Sequence, residues 1–454
     1  MKRLVAALAV VLSTAAAAHA QSVAGDWLGT LNVGPVGIRL VLHITAASDG
    51  RLAATLDSID QNAKGIPVSS IALKDSTLSV AIAVIKGSFE GRVSADGNTI
   101  DGTWTQAGSL PLVFRRAKDA SELVPKRPQQ PVPPFPYREE DVTFANPSAN
   151  LTLAGTLTIP SGPGPFPAVL LISGSGPQDR DESLMGHRPF LVLADHLTRQ
   201  GIVVLRADDR GVAKSTGGFA TATTVDFASD AEAGVAFLMS RAEVNKQKIG
   251  LIGHSEGGII APLVGARNPA VAFMVLLAGS GVTGDEIILA QSSLIGSATG
   301  LPREQVEANA RNLREILNLV TKETDEAVLQ VKLREALTGK VPPAQVDLQV
   351  KTLTTPWFRY FLTYDPAATL RRVTKPVLAM NGEKDLQVPP KQNLDAIRAA
   401  LSAAGNTHAE IVEMPGLNHL FQTAKTGSPA EYGVIEETIA PAALEKIARW
   451  IASQ

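Results

Sequence analysis

The sequence predicts an α/β fold with a mostly parallel sheet, preceded by a small antiparallel all-β domain. Three observations support this prediction. Residues 22–116 consist of alternating polar and apolar segments separated by turn signals. Six prolines then stand between Pro125 and Pro136. From about residue 138, short apolar runs alternate with helical periodicity, which is typical of a sheet covered on both faces.

The N-terminus has the pattern of a secretory signal peptide. A short basic start, MKR, precedes the apolar run 4–18, and the tripeptide AHA at 18–20 is a small-residue cleavage signature. Residues 1–20 are therefore predicted to be removed, and the protein is expected to be secreted, into the periplasm of a Gram-negative cell. No later run is long and apolar enough to span a bilayer, so no membrane span is expected.

Charge and cysteine content exclude several classes of function. The 42 basic and 44 acidic residues give a net charge of −2, or −4 without Lys2 and Arg3, which argues against a nucleic-acid partner. The chain has no cysteine, which excludes disulfides, thiolate metal sites, a cysteine nucleophile and a lipidated cysteine. We expect neither a metal nor a cofactor, and we leave a homo-oligomer open.

Residues 21–120 are predicted to form the antiparallel β-domain, as a lipocalin-like barrel or a sandwich. The Gly-x-Trp motif that ends at Trp27 resembles the opening of lipocalin-type barrels, and Trp27 is expected in the core. The proline-rich residues 121–137 are predicted to form an extended linker. Alternation is clearest in three predicted strands: 37–46, 77–84 and 110–116.

Residues 138–454 are predicted to form the α/β domain. The chain of 454 residues is long enough for two or three domains. Residues 283–370 interrupt its order with a nearly continuous helical pattern, which we interpret as a lid over the strand ends. The aromatic segment 357–364 would line an acyl pocket or form the core of the lid. The predicted strands are 151–160, 166–174, 202–208, 248–255, 271–280, 376–382 and 408–416, and the main predicted helices are 188–201, 224–241 and 440–453.

The segment 253-GHSEG-257 joins a predicted strand directly to a predicted helix. The residue between them must lie on a sharp turn, and the flanking glycines allow strand and helix to approach closely. A serine at this position exposes its hydroxyl at the end of the sheet, which is the arrangement of a nucleophile elbow. Ser255 is therefore the predicted nucleophile, and the backbone N–H of Glu256 is a predicted oxyanion donor.

A serine nucleophile needs a base, and the base needs an orienting carboxylate. His419 lies in a loop just after a predicted strand, at the sheet edge expected for Ser255, so it is the predicted base. Asp385 follows another strand and is the predicted orienting residue, with Glu383 as the alternative. The order Ser255, Asp385, His419 is that of α/β-hydrolases.

The loop 173-SGSGPQDRD-181 follows the strand predicted to lie beside the nucleophile strand. Gly176 is predicted to supply the second oxyanion N–H, with Ser175 next to it. Arg180 in this loop and Arg210 in the loop after residue 208 are expected to support the site. An ion pair of Arg210 with Asp179 or Asp181 would hold the two loops together.

Residues from about 140 to the end resemble the α/β-hydrolase superfamily. The triad and the elbow carry the resemblance, and within the superfamily three segments resemble bacterial carboxylesterases close to serine-aminopeptidase-like hydrolases: 173-SGSGPQDRD-181, 208-DDRGVAKSTG-217 and 381-NGEKDLQVP-389. The resemblance implies an α/β-hydrolase fold and a serine hydrolase. It carries no expectation for residues 21–136.

The sequence thus predicts a carboxylesterase that acts on a small-molecule ester with a small to medium acyl chain. The same groups can cleave amides, so a serine peptidase or amidase is the nearest alternative, and thioester or lactone cleavage is also open. A third alternative is a periplasmic binding protein whose hydrolase fold is a non-catalytic scaffold, because fold alone does not imply activity.

Overall fold

The computed structural model describes residues 23–33, 36–61, 63–106 and 108–454. The chain divides into two compact units. The first contains the described residues up to Arg127 together with Ala430–Glu436, and the second contains Pro128–Pro429 and Glu437–Gln454. The division at residue 127 lies within the stretch predicted as a linker. The predicted signal peptide, residues 1–20, lies outside the described residues.

The first unit contains an antiparallel sheet of nine strands in its described residues, in the order β4-β3-β2-β1-β9-β8-β7-β6-β5. All of its neighbouring strands pair antiparallel, as the alternating pattern predicts. The strands are β1 Gly25–Val33, β2 Val36–Ala46, β3 Leu52–Ser58, β4 Ala63–Pro67, β5 Ser70–Lys74, β6 Thr77–Ile82, β7 Gly87–Val93, β8 Thr99–Thr105 and β9 Ser109–Arg116.

Large side chains fill the interior of this β-domain. Trp27 is fully buried, its Nε1 donates to the carbonyl oxygen of Val23 at 2.8 Å, and the Arg116 guanidinium lies 4.4 Å from the centre of its ring. Phe89 and Phe114 pack edge to face nearby. Trp27 is thus a core residue, as its sequence position predicts.

The second unit contains an eight-stranded mixed sheet in the order β10-β11-β13-β12-β14-β15-β16-β17. Five neighbouring pairs are parallel, and the two that involve β11 are antiparallel. The antiparallel pairs arise because β10 and β11 form a hairpin at one edge. The strands are β10 Arg138–Asn146, β11 Leu151–Ile159, β12 Phe166–Ile172, β13 Val203–Ala207, β14 Val244–His254, β15 Val271–Leu277, β16 Val377–Gly382 and β17 Ala409–Met414.

Apolar side chains cover both faces of this sheet. On β12, Ala168, Leu170 and Ile172 belong to one buried cluster, and Val169 and Leu171 belong to another. Successive strand residues point to opposite faces, so the two clusters lie on the two sides of the sheet. Five helices accompany the strands: α1 Pro189–Arg199, α2 Thr224–Ser240, α3 Gly257–Gly265, α10 Pro390–Ala403 and α11 Pro441–Ala452.

Six helices fill the insertion between β15 and β16, where the sequence predicts a helical segment. They have a core of their own, which includes Leu329, Leu333 and Leu362. No helix in the described part of the chain is long and apolar enough to cross a membrane. The inserted helices are α4 Gly284–Ala298, α5 Arg303–Lys322, α6 Glu326–Leu337, α7 Pro343–Leu353, α8 Pro356–Thr363 and α9 Pro366–Leu370.

Candidate active site

Ser255 lies on a sharp turn between β14, which ends at His254, and α3, which begins at Gly257. Its φ angle is +53°, a left-handed conformation that is strained for a residue with a side chain. A Cβ on Gly253 would lie 1.9 Å from the Gly257 carbonyl oxygen, so the turn requires glycine there. The Ser255 N–H donates to the Leu277 carbonyl oxygen on β15 at 2.8 Å. This is the geometry of a nucleophile elbow.

His419 and Asp385 form a buried pair. Nδ1 of His419 lies 2.8 Å from Oδ2 of Asp385, and the side chains are 6% and 0% exposed. The other carboxylate oxygen accepts the backbone N–H groups of Gln387 and Val388, both at 2.8 Å. Because Nδ1 donates to the carboxylate, the neutral ring has its free lone pair on Nε2, the form that a general base requires.

Glu383, the alternative orienting residue, lies apart from His419. Its Oε2 accepts the backbone N–H of Gly416 at 2.7 Å, at an exposed position. Asp385 is two residues further along the loop after β16, and its two backbone donors turn it towards the loop after β17. Of the two predicted carboxylates, Asp385 is therefore the one that contacts His419.

A cavity of about 370 Å³ opens over Ser255 and His419. Its polar lining comes from the loops after β12, β14, β15, β16 and β17 and from Gln291 on helix α4. Its apolar lining comes largely from the inserted helices, so the insertion covers the strand ends at the site. The apolar lining residues are Leu184, Ile287, Ile288, Trp357, Phe361, Val388 and Leu420.

The loop after β12 approaches the nucleophile closely at Gly174. A Cβ on Gly174 would lie 3.2 Å from the Cβ of Ser255. The Gly174 N–H already donates to Oε1 of Glu182 at 2.7 Å. Ser175 lines the cavity over Ser255, whereas Gly176, with a φ angle of +96°, lines a smaller cavity. This placement favours Ser175 over the adjacent Gly176 as the second oxyanion donor.

The half-buried carboxylate of Asp209 holds this loop. Asp209 accepts the Ser173 hydroxyl at 2.8 Å and the Gln178 N–H at 2.9 Å. Burial raises the pKa of Asp209 to about 7, against the hydrogen bonds from Gln178 and Ser173, which lower it. The loop therefore rests on a carboxylate that titrates near neutral pH.

Glu256 connects the nucleophile turn to the insertion. Its carboxylate accepts the Thr224 hydroxyl at 2.7 Å and the indole N–H of Trp357 at 2.8 Å. Burial raises the pKa of Glu256, and the hydrogen bonds from Thr224, Trp357 and Ser175 oppose that rise. One side chain thus links α2, helix α8 of the insertion and the loop after β12.

The predicted ion pair of Arg210 with Asp179 or Asp181 is wrong. Nε of Arg210 lies 2.7 Å from Oδ2 of Asp230, because the side chain runs towards α2. Asp181 is instead paired with Arg206 and Arg188.

Arg180 joins two loops by an ion pair, as was predicted for Arg210. Its Nη2 lies 2.7 Å from Oδ2 of Asp208, which joins the loop after β12 to the loop after β13. The Arg180 N–H also donates to Oδ1 of Asp208 at 2.9 Å.

For two residues of the site, the sequence predicts no role. Glu182 and His254 form a contact of 2.8 Å between Oε1 and Nδ1, although 72 residues separate them in the chain. Among the described residues, no group of three or more His, Asp or Glu side chains is arranged to hold a metal ion.

Several known proteins are similar to this chain. Esterase EstD from Thermotoga maritima is 29% identical over 344 residues, which are 75% of this chain and 73% of EstD. An esterase from Pyrococcus furiosus, Pf2001, has a TM-score of 0.44 and 16% identity over 70% of this chain and 93% of its own. The hypothetical protein PA2218 from Pseudomonas aeruginosa has a TM-score of 0.45 and 19% identity over 72% of this chain and 96% of its own.

The family comparison covers most of the second unit. Residues 150–414 match the family described as X-Pro dipeptidyl-peptidase (S15 family), and this span includes the elbow, the insertion and Asp385. The match covers more than half of the chain. The protein therefore belongs to the X-Pro dipeptidyl-peptidase (S15) family and is a hydrolase of the α/β-hydrolase superfamily.

Proposed function

We propose that the protein is a carboxylesterase that hydrolyses esters of small to medium acyl chains through Ser255, His419 and Asp385. The contact of 2.8 Å between Asp385 and His419, which lines the same cavity as the elbow serine, is the observation that carries this proposal. The similarity to an esterase at 29% identity supports the ester as substrate.

In the first half of the reaction, the Ser255 hydroxyl oxygen attacks the ester carbonyl carbon and gives its proton to Nε2 of His419. Asp385 holds the ring in the required tautomer and stabilises the imidazolium. The backbone N–H groups of Glu256 and of Ser175, or of its neighbour Gly176, stabilise the oxyanion. The tetrahedral intermediate collapses, the C–O bond to the alcohol breaks, and the alcohol leaves with the proton from His419.

In the second half, water attacks the acyl-enzyme and gives a proton to His419. Collapse of this intermediate breaks the bond to Ser255, whose oxygen recovers the proton, and the carboxylic acid leaves. A cavity of about 370 Å³ with an apolar wall from the insertion suits a short or medium acyl chain. We interpret the insertion as a lid that excludes water from this reaction.

A dipeptidyl-peptidase is the second candidate, because the family is named for that activity. A peptidase that binds a free amino terminus would need a carboxylate to hold the ammonium. Glu182 and Glu256 both line the cavity, and both already accept hydrogen bonds from the protein. This arrangement favours the ester.

The test compares the wild-type protein with Ser255→Ala on p-nitrophenyl acetate, butyrate and decanoate, and on aminoacyl and X-Pro p-nitroanilides. Ser280→Ala is the matched control, since Ser280 lines the same cavity. We expect ester turnover that is lost in Ser255→Ala and kept in Ser280→Ala. Faster anilide turnover would identify a peptidase, and the absence of Ser255-dependent turnover would favour the non-catalytic scaffold.

We also propose that the chain is exported and that its signal peptide is cleaved after Ala20, from the pattern of residues 1–20. Intact mass of the protein expressed in a Gram-negative host tests this proposal. We expect a mature N-terminus at Gln21 in the periplasmic fraction. A full-length chain in the cytoplasmic fraction would contradict it.

A further inference from the structure

His254 contacts the loops after β12 and β17, and each of its ring nitrogens lies within hydrogen-bonding distance of an oxygen atom. Nδ1 lies 2.8 Å from Oε1 of Glu182, and Nε2 lies 3.1 Å from the backbone oxygen of His419. The ring centre lies 4.9 Å from that of His419. Both partner oxygens are acceptors, so both ring nitrogens must donate, and the ring must carry two protons.

Glu182 connects this ring to the opposite side of the nucleophile. The oxygen that accepts from His254 also accepts the Gly174 N–H at 2.7 Å. A continuous series of hydrogen bonds thus connects Gly174, through Glu182 and His254, to the backbone of His419. Gly174 itself lies next to Ser255. The side chains of Glu182 and His254 are 7% and 9% exposed, so the pair is shielded from water.

We propose that Glu182 and His254 are positioning residues that hold the loop after β12 and the loop after β17 in place around Ser255, by means of a carboxylate and a doubly protonated imidazole. This inference rests on the proposed function. The imidazolium is the essential element, because a neutral ring has one N–H and must release either Glu182 or His419.

The charges around His254 come from three loops. Glu182 follows β12, Asp385 follows β16 and His419 follows β17. Burial alone would lower the pKa of His254, but the Glu182 carboxylate, the His419 backbone oxygen and Asp385 raise it, and the net pKa lies above the ordinary value. The positioning contacts are therefore complete below the pKa of His254 and are lost as the pH rises through that pKa.

Glu182→Gln tests this proposal, because an amide can still accept from Gly174 and His254 but carries no charge. The experiment follows the rate at which a fluorophosphonate modifies Ser255 between pH 6 and pH 10, beside kcat and KM on p-nitrophenyl butyrate. We expect the alkaline limb to move to lower pH by at least about one unit, because the pKa of His254 falls without its counter-ion. At pH 8 the labelling rate and kcat should fall by up to about 100-fold, with KM little changed.

The control is His196→Gln, which changes a histidine 4.0 Å from Glu445 on another part of the domain. We expect it to keep the wild-type pH profile. A Glu182→Gln profile that matches the wild type would overturn the proposal even if the variant melts at a lower temperature. Labelling measures the positioning of Ser255 without an ester, so loss of ester turnover alone would affect only the proposed function.

A measurement on the wild-type protein keeps the proposal testable if Glu182→Gln does not fold. Nitrogen NMR of histidine-labelled protein at pH 8 reports the protons on each ring, and His254→Gln assigns the signal by its loss. We expect protons on both nitrogens of His254. A His254 ring with a single proton at pH 8 would overturn the proposal.

Discussion

Nδ1 of His419 donates to Oδ2 of Asp385 at 2.8 Å, and both side chains are buried. A buried carboxylate that lost this partner would be left with an unpaired charge, so the two residues hold each other in place. The same contact fixes the tautomer of His419 and directs Nε2 away from Asp385. The chemistry proposed for Ser255 depends on this orientation.

We expect Asp385→Asn to reduce kcat for p-nitrophenyl butyrate by about 10³- to 10⁴-fold. The amide keeps the backbone contacts but no longer selects the tautomer of His419 in which Nε2 is free. Glu383→Gln is the matched control, because it changes a carboxylate in the same loop that contacts Gly416 instead of His419. Equal losses in the two variants would contradict the assignment of Asp385.

Gly174→Ala should lower kcat without abolishing folding. The new Cβ would lie 3.2 Å from the Cβ of Ser255 and 3.3 Å from Oε1 of Glu182, so the loop after β12 must shift. A shift of this kind misplaces a donor by a few tenths of an ångström, and we expect a loss of about 10-fold or more. Gly218→Ala is the control, since its Cβ meets nothing within 4 Å and should leave kcat unchanged. Wild-type kinetics in Gly174→Ala would show that this loop does not serve the reaction.

Trp357→Phe removes the hydrogen bond between helix α8 and Glu256 but keeps an aromatic ring stacked on Phe361. Glu256 loses a donor to its buried carboxylate, so we expect helix α8 to be less firmly held over the cavity. KM for p-nitrophenyl decanoate should rise several-fold, and the melting temperature should change little. Tyr360→Phe on the same helix is the control. An unchanged KM in Trp357→Phe would exclude a role for this contact in substrate binding.

The stability of the protein should depend on Asp209. Its folded pKa of about 7 lies above the reference value of 3.8, so the folded state binds this proton more tightly than the unfolded state does. The stabilising contribution is complete below about pH 4 and is lost as the pH rises to about 7. Relative to Asp209→Asn, the wild-type free energy of unfolding should fall by on the order of 3 kcal/mol across this range.

Chemical denaturation at pH 4, 5.5 and 7.5 measures this dependence. Asp141→Asn is a control of opposite sign, because the hydrogen bond from Lys214 lowers the pKa of Asp141. Its contribution is present above the unfolded pKa and is lost in acid. At this exposed position the effect should be small. A pH-independent difference between wild type and Asp209→Asn would contradict the titration of Asp209.

Local pattern was sufficient to predict the nucleophile turn and most of the helices and strands. The predicted strand 248–255 corresponds to β14, Val244–His254, and the helix after it begins at Gly257. The signal is local because apolar runs, glycines and helical periodicity each act within a few residues. Chain order was enough to select His419 and Asp385, since the loops after neighbouring parallel strands meet at one sheet edge.

Pairings between distant loops could not be predicted in the same way. Arg210 bonds Asp230 rather than Asp179 or Asp181, because the direction of a long side chain depends on the packing of α2. The contact of Glu182 with His254 likewise depends on how the loop after β12 folds back, which no short pattern encodes. The antiparallel pairing of β11 is a further example, since its partner β13 lies about 50 residues further along the chain.

The most direct test of the central claim is the site and rate of modification by a fluorophosphonate, located by peptide mass spectrometry. The account predicts one phosphonyl group on Ser255, no label in Ser255→Ala, and labelling at least about 100-fold slower in Asp385→Asn. Ser173 and Ser175, in the loop beside the elbow, provide an internal comparison and should stay unmodified. A folded wild-type protein that remains unlabelled at Ser255, or is labelled at another serine, would contradict the account.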